Sequence, residues 1–301
     1  LRILIAGGTG FVGRRLVDHF TAKDDEIYIL TRNPDKYDDN EPNVKYIEWL
    51  TPNSQPELEL EAMDVCINLA GESLASGRWT EERKKSILES RISTTREFIR
   101  IMGALRAQPR VYINASAVGF YGNSETNIYT EDTIIPGDDF LAEVCNVWEN
   151  EVDEAKQLGI RTIKTRFGLI LDGEEGALPN MALPYKLFGG GRLGNGEQWM
   201  SWIHIDDVIN AMEFIIHKHD VEDVVNFTAP YPRQNKEFGK ELADALNRPH
   251  WIPAPSFAIR TILGDMADLL LQGQYVYPKK LEEHGYEFIF PDLRSALQDI
   301  Y

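Results

Sequence analysis

Seven residues, Gly7-Gly8-Thr9-Gly10-Phe11-Val12-Gly13, separate an apolar run at 1–6 from a stretch with helical spacing at 14–21. A strand, a glycine turn and a helix in that order restrict the fold more than any other feature of the chain. Gly7 permits a tight turn, Gly10 lets backbone approach a ligand, and Gly13 lets the helix pack close to the strand. Free N–H groups and the helix dipole favour an anion there. Gly7, Thr9, Gly10, Phe11, Val12 and Gly13 therefore read as a cradle for the pyrophosphate of a dinucleotide. The competing reading is a turn that merely needs small residues. The strand–turn–helix context favours the cradle.

The apolar runs that follow keep a regular rhythm. Residues 26–30, 44–49, 64–69, 111–114 and 161–171 read as buried strands, with helices at 80–105 and 139–157. Strands alternating with helices predict an α/β fold, a doubly wound parallel sheet of Rossmann type covered on both faces. Past Asp172 loops at 173–176 and 189–196 break the pattern, followed by helices at 206–218 and 234–246 and a short strand at 224–227. Residues 1–171, rejoined by roughly 204–228, are expected to form the dinucleotide-binding domain. Residues 172–203 and 229–301 are expected to form a smaller, mixed, mainly helical lobe on the substrate side.

Charge narrows the partners. The 48 acidic and 31 basic residues leave a net charge of −17, which repels phosphate backbones and anionic lipid, so neither nucleic acid nor membrane is expected as a partner. Cys66 and Cys145 lie in apolar segments without metal-ligand spacing. No disulfide framework or metal site is expected, and a reducing compartment fits. Residues 257–271 carry Arg260, Asp265 and Asp268 and read as an amphipathic helix, not a membrane span. No targeting segment is recognised, and the expected location is cytoplasmic.

The end of the second strand bears on which dinucleotide binds. A carboxylate usually holds the ribose 2′-hydroxyl about 20 residues after the glycines. Here Thr31-Arg32-Asn33 stand in that place, with no carboxylate before Asp35. A guanidinium suits a 2′-phosphate, so NADP(H) is the expected cofactor. The alternative for Arg32 is an ordinary solvated arginine.

The start GGTGFVG and the segment NLAGESLASGRW at 68–79 resemble the extended short-chain dehydrogenase/reductase superfamily. SRISTTR at 90–96, SAVGFYG at 116–122, QWMSWIHIDDV at 198–208, RPHWIPAPSFAIR at 248–260 and QGQYVYPKKL at 272–281 narrow the match. Together they are similar to its atypical epimerase-like subgroup, related to nucleotide-sugar epimerases and dehydratases. The resemblance implies that Gly7, Gly10 and Gly13 form the dinucleotide loop and that Thr31 and Arg32 hold the adenosine phosphate. It implies that Leu69, Ala70 and Gly71 run beside the cofactor's riboses. Arg91 falls where typical members place an asparagine facing the cofactor; an ion pair with Glu89 or another carboxylate is its alternative.

The superfamily's reductase chemistry uses a Ser or Thr, a Tyr, and a Lys four residues after the Tyr. The Lys lowers the Tyr pKa and holds the nicotinamide ribose. Ser116, just past the fifth strand, matches the first member. Anchoring the next helix on Glu149 puts Leu141 at the Tyr position and Cys145 at the Lys position, so both usual groups are absent. Tyr121, Glu131, Glu143, Cys145 and His204 are other proton carriers. Each has a structural alternative, which for His204 is the favoured one. Ser116 and Tyr121 are the catalytic candidates.

In the second lobe Arg192, Gln198 and Trp199 match the region that grips the nucleotide in nucleotide-sugar enzymes. The alternative makes the tryptophans inter-lobe core. Two functions follow. One is an NADP-dependent oxidoreductase or epimerase acting on a small polar, nucleotide-linked molecule with an unusual proton-transfer group. The other is a non-enzymatic NADP(H)-binding redox sensor. Related folds pair through their long helices, which leaves a homodimer open.

Overall fold

The computed structural model describes residues 1–37 and 42–301. Its first half runs β1 (Arg2–Ala6), α1 (Phe11–Thr21), β2 (Glu26–Thr31), β3 (Val44–Glu48), β4 (Val65–Asn68), α2 (Glu81–Ala104), β5 (Val111–Ala117), β6 (Ile128–Tyr129) and α3 (Phe140–Asp153). The second runs β7 (Arg161–Phe167), β8 (Leu169–Leu171), α4 (Leu178–Lys186), β9 (Trp199–Met200), β10 (Trp202–His204), α5 (Ile205–His217) and β11 (Asp223–Phe227). Then come β12 (Arg233–Gln234), α6 (Asn235–Ala245), α7 (Ser256–Leu263), α8 (Asp268–Leu271), β13 (Tyr275–Val276), α9 (Lys279–Glu283) and α10 (Leu293–Ile300).

Seven strands form one sheet in the order β3-β2-β1-β4-β5-β7-β11, every neighbouring pair parallel. Chain order reverses between β1 and β4, and a doubly wound sheet opens its ligand crevice at the carboxyl ends of such a pair. Alternate residues explain the two covered faces. Ile3, Ile5, Ile27 and Ile29 face α1 and α5, whereas Leu4, Ala6, Tyr28 and Leu30 face α2 and α3. No helix among the described residues is long and apolar enough to cross a membrane.

Three expectations need correction. The apolar stretch 161–171 is two strands, because β8 leaves the main sheet and pairs with β10. Gly168 makes the break: a Cβ there would stand 2.5 Å from the carbonyl oxygen of Ser201. The fifth strand continues to Ala117, so Ser116 lies inside it, opposite Arg166. The helix expected at 257–271 is divided by Gly264, whose φ of +61° ends α7 before the short α8.

A second core joins β8, α4, β10, α6 and α10 around Trp202, Phe238 and Leu297. Near it, β13 pairs with β6 in a separate two-stranded sheet, and Gln274 Nε2 donates to the carbonyl of Val118, just past β5, at 2.7 Å. The tail also returns to the sheet. Leu281 and Tyr286 pack into the α1/α5 core, where the Tyr286 hydroxyl donates to Asp207 Oδ1 at 2.9 Å.

Candidate functional site

The glycine turn has the geometry its composition demands. Gly7 adopts a φ of +79°, and a Cβ on it would come within 2.9 Å of the Leu69 carbonyl. A Cβ on Gly13 would stand 2.1 Å from the Gly7 oxygen, a clash with backbone that nothing can relieve. Gly10 differs, since its φ of −84° suits any residue and its nearest neighbour would be 3.2 Å away. The fold therefore needs Gly7 and Gly13, whereas neither backbone nor packing requires a glycine at 10. Gly10 caps α1 without a side-chain hydrogen bond, and no acidic residue occupies the first turn. The first N–H groups of α1 are thus free for an anion, as a pyrophosphate requires. Thr31 ends β2, and Arg32 beside it is exposed and pairs with no carboxylate among the described residues.

The loop after β4 is pinned from below. Asn68 Oδ1 accepts from the backbone N–H of Ala70 at 3.1 Å, while its Nδ2 donates to Asn114 Oδ1 at 2.7 Å. This holds Leu69, Ala70 and Gly71 at the crevice. Arg91 lies under them: a Cβ on Gly71 would be 3.5 Å from its Cγ and Cζ. Its side chain makes no ion pair with Glu89 or any other carboxylate among the described residues. Nη1 donates to the carbonyls of Ile87 at 2.9 Å and Glu72 at 3.2 Å, and burial lowers its pKa.

Ser116 and Tyr121 are brought together by one arginine. The Ser116 hydroxyl, only 3% exposed, donates to Glu149 Oε1 at 2.6 Å. Arg166 clasps that carboxylate with two hydrogen bonds, at 2.8 Å from Nε and 2.7 Å from Nη2. The guanidinium carbon sits 3.4 Å from the Phe120 ring centroid and 4.7 Å from that of Tyr121. Tyr121 is 2% exposed and donates to Asn226 Oδ1 at 2.7 Å. Burial pushes its phenol up to about 12, against the pull of Arg166, so it stays neutral at ordinary pH. Sequence reasoning missed Glu149 as a partner for Ser116. Its signal was a carboxylate on the otherwise apolar stripe of α3 that carries Cys145, Trp148 and Val152.

Leu141 packs against the small core of Trp79, Ile87 and Val144. Cys145 is buried, and that burial pushes its thiol up to about 12. Lys84 pairs with Asp265 at 2.7 Å, and Arg78 donates to the Thr261 carbonyl at 3.2 Å. The α7–α8 segment thereby rests on the loop before α2.

The remaining candidates are dispersed. Glu143 is exposed; Glu131 receives the backbone N–H of Asn226 at 3.0 Å and of Lys280 at 3.2 Å, and burial raises its pKa. His204 caps α5, its Nδ1 accepting from Asp206 N at 3.2 Å, and lies within 4.8 Å of Asp206 and Asp299 carboxylates. In the second lobe Arg192 is exposed. Gln198 is buried and its Nε2 donates to the Leu270 carbonyl at 2.7 Å, while Trp199 Nε1 donates to the Glu125 carbonyl at 2.8 Å.

Residues 3–138 match the NAD dependent epimerase/dehydratase family, and 254–300 match a domain of unknown function, DUF1731. The chain is 42% identical over 300 residues to the epimerase family protein YfhF of Bacillus subtilis, covering 100% of this chain and 98% of that one. Among solved structures, human epimerase family protein SDR39U1 with NADPH is 31% identical, with a TM-score of 0.88 and coverage of 100% and 99%. The UDP-glucuronic acid 4-epimerase of Bacillus cereus, in complex with UDP-glucuronic acid and NAD, shares the fold at 14% identity and a TM-score of 0.80 over 100% and 98% of the chains. The chain belongs to the epimerase family, as an epimerase-like member of the extended short-chain dehydrogenases/reductases.

Proposed function

We infer that the protein binds NADP(H) and acts as an oxidoreductase or epimerase on a small polar, nucleotide-linked molecule. The observation that carries the cofactor is the cradle at Gly7–Gly13 with Arg32, not a carboxylate, at the end of β2. The NADPH bound by the human relative supports the same choice. Gly7, Thr9, Gly10, Phe11, Val12 and Gly13 would hold the pyrophosphate, Thr31 and Arg32 the 2′-phosphate, and Leu69, Ala70, Gly71 and Arg91 the ribose side. A bound nicotinamide supplies or accepts a hydride. Arg192 and Trp199 are the substrate-side groups with access to a ligand; Gln198 positions their loop through Leu270.

A second reading, an NADP(H) sensor without turnover, is favoured by one observation. Ser116 and Tyr121 are both buried and already hydrogen-bonded, to Glu149 and Asn226. Fluorescence titration with NADPH and NADH tests the cofactor, and equal affinities would reject NADP(H). NADPH consumption over a panel of carbonyl compounds separates the readings. Turnover abolished by Tyr121→Phe and Ser116→Ala supports the enzyme, and no turnover with tight NADPH binding supports the sensor.

A further inference from the structure

A buried guanidinium without a carboxylate is costly, because only partial hydrogen bonding offsets its lost hydration. Arg91 is in that state, at 9% exposure and with no ion pair among the described residues. Only its Nη1 is engaged, and with two backbone carbonyls. Nε and Nη2 donate to nothing among the described residues, yet they are not sealed in, as Nη1 of Arg166 is. Arg91 therefore keeps unused donors beside Gly71, a Cβ on which would lie 3.7 Å from its Nε.

Its position relative to α3 gives those donors a meaning. The guanidinium carbon lies 5.1 Å from the Trp148 ring centroid, and its charge acts on the Cys145 thiol one turn away. By the superfamily resemblance, with α3 anchored on Glu149, Cys145 stands where a lysine is expected. Arg91 thus offers from α2 a cation that faces Trp148 of α3, a helix with no lysine or arginine of its own.

We propose that Arg91 replaces the absent lysine as the fixed charge at the nicotinamide end of the dinucleotide, gripping the oxygen-rich ribose and phosphate there through Nε and Nη2. This rests on the NADP(H) reading above, and Arg32 serves the other end of the same molecule. The two ends are separable with 2′,5′-ADP, which carries the adenosine half and its 2′-phosphate but no nicotinamide ribose.

The test is calorimetric titration of wild-type protein, Arg91→Met and Arg91→Met/Cys145→Lys with NADPH and with 2′,5′-ADP, each variant checked by thermal melting. Arg91→Met should weaken NADPH about tenfold, the scale of one charge-assisted hydrogen bond, and leave 2′,5′-ADP unchanged. Returning the cation to α3 in the double variant should restore most of the NADPH affinity. Equal losses on both ligands, or no loss on NADPH, would overturn the proposal. So would a folded double variant that binds 2′,5′-ADP normally but NADPH as weakly as the single one. If Arg91→Met does not fold, the double variant decides: NADPH affinity near wild type supports the relocation, and a selective loss refutes it. Failure of wild-type protein to bind either ligand would instead remove the NADP(H) reading itself.

Discussion

Ser116 donates its hydroxyl proton to Glu149 Oε1 across 2.6 Å, and the same oxygen also accepts from Arg166 Nε at 2.8 Å. One carboxylate on α3 thereby ties the end of β5 to its neighbour β7. Arg166 has its pKa raised even though burial works to lower it, because Glu149 more than restores the charged form. The pair is nearly sealed from water, so removing one partner leaves the other charge uncompensated.

Glu149→Gln should therefore be far more damaging than Ser116→Ala. Breaking a buried ion pair from one side costs about 3–5 kcal/mol, whereas losing one hydrogen bond to a charged group costs about 1.5–3 kcal/mol. Urea unfolding of both variants measures the difference. Equal losses would mean that Arg166 finds another acceptor once Glu149 is neutral.

Arg32→Ala should reduce NADPH affinity by about 1.5–3 kcal/mol while leaving NADH unchanged, since the guanidinium has no 2′-phosphate to hold in NADH. Competitive titration of the two cofactors against both proteins checks this. A variant that keeps the wild-type preference would place the 2′-phosphate away from β2.

Gly10→Val should fold but not bind a dinucleotide. The φ of −84° accommodates a side chain, and the nearest atom to a new Cβ is the Gly7 oxygen at 3.2 Å, so the cost to folding is modest. The isopropyl group would instead fill the space a pyrophosphate needs. Gly13→Ala is the contrast. Its Cβ would meet the same oxygen at 2.1 Å, and the variant should lose stability as well as binding. Melting curves with and without NADPH distinguish them; a Gly10→Val protein still stabilised by NADPH would show that the ligand does not approach there.

Local pattern explains why the sheet and the glycine turn were legible. β1, β2 and β4 are mostly apolar runs read within their own few residues, and Gly13 serves a contact with the Gly7 oxygen made inside one strand–turn–helix unit. What escaped depends on distant chain. The break at Gly168 is imposed by Ser201, and the partner of Ser116 lies 33 residues away on another element. Arg91 could not pair with Glu89 for a geometric reason: residues two apart on a helix point in different directions. Its real surroundings, Glu72 and Trp148, come from the loop before α2 and from α3. Helical spacing alone could place Arg91 on a helix but could not show its spare donors.

His204 offers a test of stability against pH. Its ring is buried, and burial lowers its pKa despite the opposing pull of Asp206 and Asp299. The native state therefore prefers the neutral ring, whose Nδ1 accepts from the Asp206 N–H and so caps α5. A histidine depressed in the folded state contributes stability above its ordinary value of about 6.5, and that stability is lost as pH falls through the folded value. Below that range protonation also removes the lone pair on which the cap depends. His204→Asn keeps a capping acceptor and removes the titration. Urea midpoints measured from pH 8 to pH 5 should fall more steeply for wild type than for His204→Asn, the carboxylates contributing alike to both. Parallel curves would mean that Asp206 and Asp299 hold the protonated ring as well as the fold holds the neutral one.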